Sequence, residues 1–392
     1  MLFANRTEEV SLNEAERLGR IANVDGLRAV AVLGVIWAHV WLHSGNPRFQ
    51  VGSIFGIDID LNRAFSVVGT GVDLFFVISG FCMYLMYANK QSSFTWTGYF
   101  LFLKRRWLRI APAFYAAVAA CSLVFLWING TVPVREFLVH IAFVQTVIPG
   151  TGKLAAPFWS LATEWQFYLM LPALIVCGKR IGFWPMVICA IGGSVIIRLF
   201  VYSGSFDTQA VWNPQLPMRL VEFMWGICVA RLFSAKASLP WLLQGGRGIL
   251  IGATVAYAGR LLMVTEVVNW AGPIGFASKA LGEPVLTLGY SIILWNAVAS
   301  SSWFGNVLGH SWFQVVGRWS YSLYLWHWWP VLWITKAMSN SFGSTAIIQY
   351  LSFAISLAVL LPVSCLSYRV LESPYFQRHS RNSAGRVVEA QI

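Results

Sequence analysis

Apolar runs of about 17 to 25 residues recur along the whole chain, and each is long enough to cross about 30 Å of hydrocarbon as a helix. A soluble fold fills one core and does not repeat such runs. With 57% hydrophobic residues, 11% charged residues and a mean hydropathy of +0.62, the 392 residues also lack the polar surface a soluble protein needs. The expected fold is an all-α polytopic membrane protein of about ten transmembrane helices. The spans fall at 27–42, 69–88, 110–128, 158–177, 184–202, 217–233, 249–265, 284–300, 318–336 and 346–368. The segment 136–148 is apolar but short, and reads as a re-entrant or interfacial helix.

Residues 1–23 are expected to form a cytoplasmic arm, 24–374 the membrane domain and 375–392 a cytoplasmic tail, with Asp25 capping the first membrane helix. No cleavable signal peptide is expected before the first span, and the tail is too short for a separate catalytic domain. Any chemistry is therefore expected within the membrane domain.

The formal charge of +12 would suit nucleic acid, but no basic, aromatic-interleaved soluble module carries it. Its distribution has another explanation. With both termini in the cytoplasm, Arg6, Arg17, Arg20, Lys90, Lys104, Arg105, Arg106, Arg109, Lys179, Arg180, Lys236, Arg247, Arg378, Arg381 and Arg386 all fall inside, the positive-inside pattern. The six cysteines lie in or at the edges of apolar spans without metal-ligand spacing, and read as small packing residues. Many of the 20 tryptophans, Trp41, Trp107, Trp159, Trp184, Trp212 and Trp241 among them, lie near span ends and suit interfacial belts.

Charged groups inside spans are costly, so each needs a partner, a water-filled cavity or a task. Arg28 and His39 lie about three turns apart on the first span, hence on one helix face and separated by about 16 Å. Together they would line a path from an anionic cytoplasmic donor to a deeper acceptor, with His39 as general base. Other spans bring Asp73, Glu164, Arg198, Arg219, Glu222, Arg260 and His327, and Glu372 follows the last. Arg219 and Glu222, three residues apart on one helix, read as a local neutralising pair. Glu164 has no local cation and needs one from elsewhere. The loop Lys104–Arg109 offers Arg106 and Arg109 one turn apart, guanidinium forks suited either to phosphate or to anionic lipid.

Several blocks, in order, resemble the acyltransferase-3 family of membrane acyltransferases. They are Asp25-Gly-Leu-Arg28 with His39; Gly71-Val-Asp73 through Ser79-Gly80-Phe81; the Arg106 and Arg109 pair; Trp159-Ser-Leu with Glu164, Phe167 and Tyr168; Gly317-Arg318-Trp-Ser320-Tyr321 through Trp326-His327; and Tyr368-Arg-Val-Leu-Glu372-Ser-Pro374. The resemblance covers residues 24–374. It implies transfer of an acyl group, usually acetyl from acetyl-CoA, onto a carbohydrate or glycolipid hydroxyl in the bilayer, with a bacterial cytoplasmic (inner) membrane as the setting. By the resemblance His39, Arg28 and Glu164 would be catalytic, while Arg106, Arg109 and Arg28 would hold acyl-CoA. Asp73, His327, Trp159 and Tyr168 would support the site or bind substrate, and no metal is expected. Some relatives carry a fused SGNH-type esterase domain. None is expected here, which implies either direct transfer or a separate extracytoplasmic partner protein. Trp165 stands where relatives often carry a second acidic residue, so only Glu164 carries over.

The acceptor would be a surface polysaccharide, lipopolysaccharide or lipid-linked saccharide. A transporter or flippase also fits about ten helices with intramembrane charges, and is set apart by donor dependence. A non-catalytic scaffold does not explain the aligned polar groups.

Overall fold

The computed structural model describes residues 4–54, 57–88, 95–204, 206–263, 272–299 and 303–375, with side chains described from Asn23 onward except at 54, 57–59, 63–64, 87–88 and 206–207. The expected tail beyond Tyr375, together with Lys90, Thr265 and Ser300, lies outside the described residues. Apart from one antiparallel hairpin, Gln50–Ile54 against Ile57–Asp60, the architecture is helical, and the chain divides into two compact units.

The first unit comprises Met1–Ala38, Gln50–Ser92 and Gly178–Ser320. Its core gathers Leu27 and Ala31 of the Ala4–His43 helix, Val77 and Phe81 of the Gly71–Ala88 helix, Ala256, and Leu286, Leu294 and Trp295 of the Pro273–Ala299 helix. Among apolar lipid tails, helices gain little by burying more apolar surface, so close backbone approach matters most. Gly80 and Gly226 provide it. A Cβ on Gly80 would strike the Phe223 carbonyl, and one on Gly226 would strike the Val77 carbonyl. The Gly71–Ala88 and Leu216–Ser234 helices thus meet backbone to backbone.

The second unit comprises His39–Phe49, Ser93–Cys177 and Tyr321–Ile392. Its longest helix, Trp96–Asn129, starts where the Thr95 side chain accepts from the Gly98 N–H. It stops where left-handed Gly130 returns its N–H to Leu126. The Ala346–Ser367 helix inverts ordinary amphipathicity: Gln349, Ser352, Ser356 and Ser364 are buried, whereas Ile347, Leu351, Ile355, Val359 and Val363 are exposed. Polar inside and apolar outside is the pattern of a helix solvated by lipid.

Among the described residues, six helices are long and apolar enough to cross a membrane: Asn23–His43, Phe65–Met86, Trp96–Asn129, Ala156–Ile181, Phe183–Tyr202 and Ala346–Tyr375. Trp107, Trp184, Trp212 and Trp241 are exposed, as interfacial residues would be.

Four expectations need correction. Asp25 caps nothing, because the helix already runs unbroken from Ala4 to His43, and Asp25 pairs instead with Arg28 one turn on. The basic cluster Lys104–Arg109 is not a loop but lies well inside the Trp96–Asn129 helix. The helix that carries the expected 284–300 span begins well before it, at Pro273, so Glu283 lies in the helix interior. Finally, the 318–336 span is not one helix: Ser320–Trp326 ends, His327 bends the chain, and Trp328–Phe342 resumes. Pro330 explains this last break. It has no N–H for the Trp326 carbonyl and its ring would collide with that carbonyl, so the chain restarts with His327 as the cap and Val331 bonding back to it at 3.0 Å. The short helix overlapping 136–148, Val134–Ile141, has 8 residues, about 12 Å of rise, and is too short to cross.

Candidate active site

The break in the second unit exposes backbone groups that a continuous helix would have used, and His327 takes one of them. Its Nδ1 lies 2.7 Å from the Tyr324 carbonyl. A carbonyl only accepts, so Nδ1 carries the proton, and in the neutral ring Nε2 carries the lone pair. The ring is fully buried and Nε2 has no hydrogen-bond partner. The His39 ring lies 5.0 Å from it between centroids, and the His43 ring 6.4 Å from that of His39. Trp328 packs edge-on against both His39 and His43, at 5.3 Å in each case. The structure thus brings His327 and His39 together, and it adds His43, which the sequence reading missed. The signal was present: His39 and His43 are one turn apart on the same helix. Among the described residues, no group of three His, Cys, Asp or Glu side chains is placed to hold a metal ion.

The segment carrying His327 is fixed by hydroxyls. Tyr324 donates to the Pro157 carbonyl at 2.5 Å and pairs with the Ser160 hydroxyl at 2.7 Å, while Tyr321 donates to the Ile110 carbonyl at 2.8 Å. Ser322 donates to buried Glu372 at 2.5 Å and pairs with the Ser367 hydroxyl at 2.9 Å, and Trp329 donates to the Leu154 carbonyl at 3.0 Å. Four sequence blocks that lie far apart along the chain therefore meet around one short helix.

A second group lies in the same unit. Glu164 accepts from the Tyr168 hydroxyl at 2.5 Å, one turn along the Trp159–Ile181 helix. Arg106 and Arg109 lie near enough to act on Tyr168 electrostatically, and Arg109 acts on Glu372 as well. The Trp96–Asn129 helix thus brings two cations to the tyrosine that Glu164 holds. Arg106 is buried, its guanidinium 5.7 Å from the centre of the Phe102 ring. Trp159 opens the Glu164 helix and is half-buried.

The first unit holds the remaining expected residues. Arg28 pairs with Asp25 at 2.7 Å and approaches the Cys82 sulfur at 3.5 Å. Asp73 does not stand beside a histidine; it belongs to a buried ionic cluster. There Arg219 reaches Asp73 at 3.3 Å, Glu222 at 3.2 Å and Glu283 at 2.7 Å. Fully buried Arg198 contacts Glu222 at 3.5 Å and also Glu283. Arg219 and Glu222 are therefore part of a network across helices rather than an isolated local pair. Glu283, at its centre, was hidden from the sequence reading by the adjacent Pro284, which marked the expected start of a span. All six cysteines are free thiols.

Helices long and apolar enough to cross a membrane, carrying the His39, His43 and His327 rings and, separately, Glu164 with Tyr168 near Arg106 and Arg109, define an integral membrane protein with polar chemistry built into its helices. The chain belongs to the acyltransferase-3 family, whose model, described as "Acyltransferase domain", matches residues 21–369. It is similar to a provisionally named O-acetyltransferase of Staphylococcus aureus (strain COL), 25% identical over 92% of this chain and 58% of that protein. It is similar too to acyltransferase MdmB of Streptomyces mycarofaciens, 26% identical over 91% of this chain and 92% of the other. O-acetyltransferase OatA of Staphylococcus aureus (strain NCTC 8325 / PS 47) is 24% identical over 90% of this chain and 57% of its own length. The chain thus spans less than two thirds of the length of the staphylococcal relatives. No solved structure matches it.

Proposed function

We propose that this protein is a membrane O-acyltransferase that moves an acyl group, acetyl in the first instance, from acyl-CoA to a hydroxyl of a surface polysaccharide, lipopolysaccharide or lipid-linked saccharide. The observation that carries the reading is the histidine group: a neutral His327 whose tautomer is fixed by the Tyr324 carbonyl, with the His39 ring beside it. In this reading His39 takes the proton of the acceptor hydroxyl as its oxygen attacks the thioester carbonyl, and His327 Nε2 orients the imidazole and accepts from it. Family membership and the names of the relatives support the class of reaction.

Arg106 and Arg109 suit the phosphates of coenzyme A, and Glu164 with Tyr168 sets the charge balance around them. Arg28, on the same unbroken helix as His39, would steer the donor, and Trp159 would flank the acceptor. Asp73 has a supporting role through its ionic cluster. The membrane domain is assigned to residues 24–374, with about ten crossings, an arm 1–23 and a tail 375–392 both in the cytoplasm, and a bacterial inner membrane as the setting. That orientation puts Arg106, Arg109 and Glu372 on the side where acyl-CoA is made. The acceptor is reached either directly or through a separate extracytoplasmic partner.

The test is mass spectrometry of glycans and lipids from a deletion strain complemented with wild type or with His39→Ala. An ester-sized mass gained only with wild type supports transfer and names the group and acceptor. No gain from either, with both assembled in the membrane, rejects it. The ionic cluster of the first unit favours a second reading, transport of a polar solute. Uptake or export that continues without acyl-CoA would select that reading.

A further inference from the structure

His43 has no place in the reaction described so far, yet its surroundings give it one. It ends the Ala4–His43 helix, one turn beyond His39, and exposed Gly45, Asn46 and Arg48 follow it. Its ring is only half-buried, but its Nε2 is turned inward and has no hydrogen-bond partner. One nitrogen is thus enclosed beside Trp328 and the His39 ring, while part of the residue stays accessible next to the exposed Gly45, Asn46 and Arg48. An imidazole so placed can accept a proton at one nitrogen and release one from the other. His327 cannot do this, because it is fully buried and its Nδ1 is committed to the Tyr324 carbonyl.

We propose that His43 is the proton exit of the site, an inference that rests on the acyl-transfer reading. The acceptor oxygen bonds to the thioester carbon and the carbon–sulfur bond breaks. The hydroxyl proton passes to His39 and, once the ester has left, moves from that same His39 nitrogen to His43 Nε2, while the proton on the other His43 nitrogen leaves to water. The departing coenzyme A thiolate takes a proton from water on its own side, so the products are ester and free thiol and no net proton is made. The 6.4 Å between the His39 and His43 rings leaves room for one bridging water. The titratable groups acting on His43 are His39 on its own helix, and His327 and Lys336 from the chain on either side of the Pro330 break.

The experiment uses membranes containing the full chain, radiolabelled acetyl-CoA as donor probe, and label appearing in the glycan and lipid fractions. His43→Gln and His43→Ala are compared with wild type across pH, with and without added imidazole. His43→Gln is expected to lower the maximal rate about tenfold to a hundredfold with the KM for acetyl-CoA unchanged. Added imidazole, reaching the half-exposed position, should restore the His43→Ala variant. An unchanged rate and pH profile in both variants overturns the proposal, as does an equal loss in both that imidazole does not relieve. If wild type itself transfers no label, the acyl-transfer reading fails, and with it this one. Label transferred by wild type and by both variants alike removes His43 alone.

Discussion

His327 holds its proton on Nδ1, 2.7 Å from the Tyr324 carbonyl, and so turns a lone pair toward the interior of its unit. That bond exists because Pro330 breaks the helix at this point. Replacing His327 with Gln keeps a polar side chain but removes the imidazole. The maximal transfer rate is expected to fall about 100-fold while the protein still inserts and purifies intact. Labelled acetyl transfer, set beside gel-filtration profiles of the detergent-solubilised protein, checks both parts.

Arg106→Ala is expected to raise the KM for acetyl-CoA about tenfold, with a smaller change in the maximal rate, because charge-assisted contacts to phosphate are lost. Arg106→Lys should recover only part of that loss, since an ammonium cannot present the planar fork. Donor-concentration series on both variants decide it. An unchanged KM would leave the arginine as a lipid-facing anchor.

Glu283→Gln leaves Arg219 and Arg198 short of one anion in a buried setting. A loss of about 3–5 kcal/mol in stability is expected, read as a lowered midpoint of thermal unfolding in detergent. Asp73→Asn, at the edge of the same cluster with a single arginine contact, should cost less.

Gly80→Val should prevent the Gly71–Ala88 and Leu216–Ser234 helices from meeting, since the added carbons fall on the Phe223 carbonyl. The expected outcome is a protein that reaches the membrane but is degraded or aggregates on extraction, measured by immunoblot and gel filtration. Gly192→Ala, where open space surrounds the added carbon, serves as the tolerated control.

His140 gives a pH prediction outside the spans. Burial lowers its pKa, although the Glu136 backbone and carboxylate act the other way. The unfolded chain then binds a proton before the folded one does, so stability is expected to decline as pH falls below about 6.5. Above that range the His140 contribution should be flat. Unfolding midpoints of wild type and His140→Gln between neutral and mildly acidic pH check this, with the variant showing the shallower decline.

The positions of the long membrane helices were legible because lipid rewards apolar length, and length survives in a linear text. The sites where backbone chemistry overrides that pattern were not. Pro330 sits in a run as apolar as any other, and only the geometry shows that it divides the helix at His327. Charge misled in the opposite direction: Lys104–Arg109 read as a loop, yet the Trp96–Asn129 helix passes through it, because long cationic side chains lean away from the helix axis. His39 and Glu164 stood out by their cost in a membrane. Tyr168 was singled out only through the family resemblance and His43 not at all, since a tyrosine among aromatics and a histidine at a helix end carry no such penalty. The Glu283 contacts with Arg198 and Arg219 join helices whose pairing no spacing rule encodes.

The ionic cluster of the first unit also bears on how the chain enters the bilayer. In order of synthesis its members, counting Arg260, which acts on Asp73, are an acid, two bases, an acid, a base and an acid: Asp73, Arg198, Arg219, Glu222, Arg260 and Glu283. Each new helix therefore brings a charge that a helix already made can neutralise, or is followed by one that does. At no stage does the nascent cluster hold more than a single uncompensated charge. Helices too polar to insert alone can thus be retained by those that precede them, and the order of residues along the chain serves as an assembly schedule.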